Sequence, residues 1–134
     1  MLQTFSLDPS MIATLGGAFY PTGYSMVMFP DRESAVEVGE RMLADAKVDE
    51  AMLVPPAAIL TQIARTVSDA DEPLPSVGTE GATVRAYIKL AREGHHGLLV
   101  KTPDEDAAER MMEVVRTRRY SMAQRYRTLV VEDL

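Results

Sequence analysis

The chain of 134 residues contains no cysteine. That absence excludes a disulfide framework, a thiolate metal site and a cysteine nucleophile together, and it fits a reducing compartment. Histidine is almost as scarce, with His95 and His96 the only two. Long hydrophobic runs are missing as well: nothing approaches the roughly 20 apolar residues that a membrane helix needs. The N-terminus has no basic leader, and Asp8-Pro9 interrupts its apolar stretch, so it does not read as a signal peptide. A cytoplasmic protein without a membrane partner is expected. Cations are outnumbered, 14 Lys and Arg against 20 Asp and Glu, for a net charge of −6. A nucleic acid would meet an unfavourable long-range field, so nucleic acid is not an expected general partner.

What remains is ordinary globular composition, 46% hydrophobic and 25% charged. The length is near the modal domain size, which predicts one domain over 1–134 with a sizeable core.

Residues 1–23 read as an arm punctuated by Gly16-Gly17 and Pro21-Thr22-Gly23. A first β-α-β half follows over 24–56. Its strand is Tyr24–Phe29, between Gly23 and Pro30, and its helix runs from about 31 to 46 with Asp31 placed to cap it. Ala35, Val38, Met42 and Ala46 make one buried stripe, and a second strand, Ala51–Val54, is stopped by Pro55-Pro56. A helical insertion occupies 57–94. Its first helix, about 57–69, buries Ile59, Ile63 and Val67 and is ended by the prolines of 71–76. Its second, about 79–93, is capped by Thr79, buries Val84, Ile88 and Ala91, and stops at Gly94.

The second half covers 95–134, beginning with the strand Gly97–Lys101. Thr102, Pro103 and Glu105 then match a capping box with proline at the first helical position. The helix they open buries Ala108, Met111, Met112 and Val115, and the chain from Tyr120 to Val131 reads as extended, most strand-like at Val130-Val131. Setting Pro30 on Pro103 also sets Asp31 on Asp104, Ala35 on Ala108, Val38 on Met111 and Met42 on Val115. A repeated β-α-β pattern explains this echo as well as duplication does.

Two such halves predict an α/β (α+β) fold, a ferredoxin-like two-layer sandwich with two helices inserted between the halves. The alternative is a small doubly wound parallel sheet, which the same alternation would produce. Neither strand-to-helix junction carries a glycine-rich phosphate loop, which weighs against that alternative. Tyr24, Met26 and Met28 are apolar on one side of their strand, as are Val27 and Phe29 on the other. Both sheet faces therefore need cover, either from the inserted helices or from a second subunit. A homodimer, or an assembly of dimers, is the expected partner arrangement.

Two clusters are chemically suggestive. His95-His96 could act as acid/base, but neighbours in a strand point to opposite faces and no cysteine supplements them. A polar loop is the preferred reading, and no metal or cofactor is implied. The stretch from Arg116 to Arg127 holds five arginines, no acid, and the interleaved Tyr120 and Tyr126. Arg116, Arg119, Tyr120, Arg125, Tyr126 and Arg127 could together clamp a phosphate or stack a base. The plainer reading is helix C-terminal cations and ion pairs. Nine methionines are read as core filling. The preferred function is a non-catalytic homo-oligomeric binding or regulatory module, with a small anion as candidate ligand. The alternatives are an enzyme using His95 or His96 as acid/base, with Arg119, Tyr120 or Arg125 orienting an anionic substrate, and anion or RNA binding through 116–127.

Overall fold

In the computed structural model, which describes residues 2–13, 17–67 and 78–134, Gly23 adopts a φ of +87° and turns the arm into a buried strand. This strand, β2 (Tyr24–Phe29), ends at Pro30, and Asp31 starts α1 (Arg32–Asp45). The Asp31 carboxylate accepts the Ser34 N–H at 2.8 Å, satisfying one of the free donors of the first turn. Ala35, Val38 and Met42 are fully buried, as their spacing predicts. After β3 (Ala51–Val54), the chain enters α2 (Pro56–Ala58), which continues through a π-helical turn, Ile59–Ile63, and a 3-10 turn, Ala64–Thr66. Ile59 and Ile63 are buried, but Val67 is extended and only half-buried, so the helix stops short of the expected position 69. The prolines of 71–76 and the Gly16 turn lie outside the described residues.

The second inserted helix, α3 (Gly78–Arg92), includes Thr79 within its first turn instead of beginning after it. Its C-terminus closes on Gly94, at φ +90°, where Gly94 N–H donates to Ala91 O and His95 N–H to Leu90 O, both at 3.0 Å. This is a Schellman ending, which needs a left-handed residue at the glycine position. Then come β4 (His96–Lys101), α4 (Glu105–Val115) and a hairpin of β5 (Met122–Tyr126) and β6 (Val131–Asp133).

Two expectations fail here. The helix cap is Asp104, which accepts Ala107 N–H at 2.8 Å, and not Thr102. Thr102 is fully buried, and its hydroxyl is hydrogen-bonded at 2.7 Å to the buried Ser25 hydroxyl across the strands. The C-terminal segment is also not one strand: Leu129 and Val130 lie in the exposed turn, 91% and 55% accessible, between β5 and β6.

The arm supplies a further strand, β1 (Gln3–Thr4), so the mixed α/β fold has a six-stranded sheet, ordered β1-β3-β4-β2-β5-β6. Among the described residues, only β1–β3 is parallel; the other four pairings are antiparallel. The doubly wound parallel alternative is therefore wrong. Strands apolar on both sides carry no mark of direction, and β4 slots between β3 and β2 antiparallel to both.

The sheet has a core on each face. On one, Val27, Phe29, Leu98 and Val100 pack with α1 and α4. On the other, Met26, Met28, Met52 and Leu99 pack with Ile59, Ile63, Val84 and Tyr87. The arm completes this second core through Phe5 and Phe19, whose rings meet edge-on at 6.1 Å. Two layers were expected, but the strands lie between two covering layers. The cover that two-faced strands demand comes from within the chain. At Gly97 the packing is so close that a Cβ would sit 2.7 Å from Met26 Cε.

Candidate functional site

The arginine-rich stretch is divided by β5. At ~3.3 Å per residue, the five residues of this strand put about 17 Å between its two ends. Arg116, Arg119 and Tyr120 stay at the C-terminal end of α4, while Arg125, Tyr126 and Arg127 lie at the opposite end of the sheet. Arg116 pairs with Glu109 at 3.3 Å, and the intervening Arg118 forms an ion pair with Glu37. Arg119 is exposed, and Tyr120 packs partly against the α1/α4 core. No single clamp of six residues exists.

Arg125, Tyr126 and Arg127 instead border a cleft of about 430 Å³, within the range of small-ligand sites. The start of β2, the end of β4 and the β5–β6 turn converge there, bringing Thr22, Thr102 and Pro103 beside the arginines. The backbone is tied at the same point: Gly23 N–H donates to Tyr126 O, and Thr102 N–H to Gly23 O, each at 2.9 Å.

Arg125 is the unusual member. Its register places it between Ser25 on β2 and Glu132 on β6. Only 9% of it is accessible, yet its Nε is buried without a hydrogen-bond partner. Its Nη1 lies 3.8 Å from Glu132 Oε1, an ion-pair distance too long for a hydrogen bond, and Glu132 is itself part-exposed. A buried cationic donor left unmatched is costly, and the residue that carries it also lines the cleft. A guanidinium presents planar, forked donors suited to a carboxylate or a phosphate oxygen pair.

Tyr126 does not serve as a stacking platform, because its ring is buried on the other face of the sheet. Its hydroxyl is 2.9 Å from that of Tyr87, which donates to Gln124 Oε1 at 3.1 Å. Gln124 in turn donates to Asp133 at 2.9 Å, so this chain of bonds secures the hairpin bearing Arg125 to α3. Burial pushes the Tyr87 phenol well above its ordinary value, and the neighbouring Tyr126 adds to the shift. Sequence reasoning missed Thr22, Thr102, Leu129 and Val130 as cleft residues, since only strand pairing brings them together.

The histidines stand at the other end of the sheet. His95 Nδ1 is 2.8 Å from the Ser121 hydroxyl, and its Nε2 is 3.9 Å from Glu93. With the ring proton on Nε2, facing Glu93, Nδ1 accepts the serine proton. His96 makes a separate contact, Nδ1 at 3.2 Å from Gly94 O. Burial depresses the His96 pKa, and Arg32 assists, while the Gly94 carbonyl and Asp31 oppose. Adjacent strand positions thus keep the two rings apart, as expected. Arg125 cannot orient a substrate for His95, because it lies at the far end of β5. Among the described residues, no three His, Asp or Glu side chains are grouped to hold a metal, and no helix is long and apolar enough to cross a membrane.

Comparison with protein families, with curated proteins and with solved structures finds no match for this chain.

Proposed function

We propose that this protein is a non-catalytic binding module that holds a small anion in the Arg125 cleft. The observation that carries the reading is Arg125, a nearly buried cation with an unpartnered Nε that lines a cavity of ligand size. RNA binding is the weaker form of the anion reading, since the arginines divide between two ends of the sheet and Tyr126 is buried. Titration calorimetry with acetate and inorganic phosphate tests the proposal. Binding is expected for the native protein and is lost in Arg125→Gln. No heat from either anion at millimolar concentration, or equal heat from the variant, would overturn it.

We also read β2, β3, β4 and β5 as a ferredoxin-like unit. The antiparallel order β3-β4-β2-β5, with α1 and α4 together on one face, supports this.

A catalytic reading rests on the 2.8 Å contact between His95 and Ser121. Here Ser121 Oγ would attack the carbonyl carbon of an ester while Nδ1 of His95 takes its proton; the ester C–O bond then breaks, and the proton passes from His95 to the departing alcohol. A fluorophosphonate that labels the native protein but not Ser121→Ala would favour this reading; absence of labelling would remove it.

A further inference from the structure

Resting on the anion-binding reading, we infer that the cleft selects an amphipathic monocarboxylate, with its head on Arg125 and a hydrocarbon body along the β5–β6 turn. The cavity walls are chemically divided. One cation, Arg125, is buried in it, while Pro103, Leu129 and Val130 line its outer part. Turn positions favour small polar residues that satisfy the local backbone. Here Leu129 and Val130 hold them, and both are strongly exposed: 91% and 55%. Among the described residues, the only other large exposed hydrophobic side chain is Leu60, at 38%. Two of the three thus border the same cleft as the Arg125 guanidinium. An apolar ligand body lying against them would remove that surface from water.

Local charge selects the head group. Glu132 lies 3.8 Å from the Arg125 guanidinium. A single negative charge satisfies Arg125 beside this carboxylate. A dianion or polyphosphate brings a second negative charge against it, with only the exposed Arg127 added in compensation. The protein's net charge of −6 acts in the same direction. Carboxylate is therefore favoured over phosphate, and a carboxylate with a tail over acetate.

The test is a calorimetric series of acetate, butyrate, hexanoate and octanoate, with inorganic phosphate and methyl hexanoate as comparators. Each added methylene buried against the turn is expected to raise affinity by up to about fourfold. Methyl hexanoate, lacking the charge, is expected not to bind. Leu129→Ser, at a position exposed enough to leave folding intact, should flatten the dependence on length while retaining acetate binding. If acetate and phosphate bind through Arg125 but affinity does not rise with chain length, this inference fails while the anion module stands. If methyl hexanoate binds as well as hexanoate, the assignment of the carboxylate head to Arg125 fails. If no member binds, both readings fail together.

Discussion

A side chain kept for a ligand is expected to burden the empty protein, and Arg125→Met measures that burden. Methionine retains the unbranched apolar stem that fills the space below the guanidinium, while removing the charge and the unmatched Nε. Relieving a buried, unsatisfied donor is worth roughly 1–3 kcal/mol. Against this stands the loss of the Glu132 pair, whose 3.8 Å separation and part-exposed carboxylate make it worth about 1 kcal/mol or less. Glu132 is left solvated, so it adds no stranded-charge penalty. The balance predicts that Arg125→Met is more stable than the native protein by about 1 kcal/mol and unable to bind hexanoate. Urea denaturation reads the first result as a raised midpoint at unchanged slope. Calorimetry reads the second. If Arg125→Met instead lowers stability by more than about 1 kcal/mol, the guanidinium is a structural group satisfied within the fold, and the reasoning for a ligand site is refuted.

Three other outcomes follow from the geometry. Asp104→Ala is expected to lose about 1 kcal/mol of stability through the Ala107 cap, whereas Glu105→Ala should change little; urea midpoints of the two variants compare them. Removing the arm's central ring by Phe19→Ala should cost about 3–5 kcal/mol, because Phe19 is fully buried against Phe5 and Tyr126. Thermal unfolding would show this as a large drop in Tm, and a small one would mean that the arm is not part of the core. Tyr87 has a raised pKa in the folded protein, so above its ordinary value of 10.0 the unfolded chain ionises first. The contribution of neutral Tyr87 is complete below that pH and declines above it, by roughly 1 kcal/mol per pH unit while the mismatch lasts. Tyr87→Phe should have a shallower alkaline decline in urea midpoint, and an unchanged decline would contradict the assignment.

The elements that were legible in the sequence are those where turn residues and side-chain period agree. Gly23 and Pro30 bracket β2, Asp31 opens α1, and Gly94 closes α3. The two halves teach a more specific lesson at their caps. Aligning Pro30 with Pro103 pairs Asp31 with Asp104, and both caps accept the third helical N–H at 2.8 Å. The local capping-box pattern pointed to Thr102 instead, but a residue that continues from a buried strand has its hydroxyl committed to Ser25. A short motif carries no information about such a distant partner. The argument for a homodimer turned on a different point: apolar character on both faces shows that cover is needed, not where it comes from. With α3 and the arm supplying it, the sheet faces no longer argue for a second subunit. The cleft was partly visible, because Arg125 and Arg127 were among its candidates. Their separation from Arg116, Arg119 and Tyr120 depends on where β5 begins and ends.

The lengths of the outermost strands have a consequence for behaviour at high concentration. β1 has two residues and β6 three, so neither border of the sheet offers a long template for another chain's backbone. Beneath β1, however, lies β3, four successive buried residues, Ala51–Val54. Detaching β1 would expose a longer and more apolar border to strand exchange or fibrillar growth. The short N-terminal strand therefore guards the protein against templated aggregation.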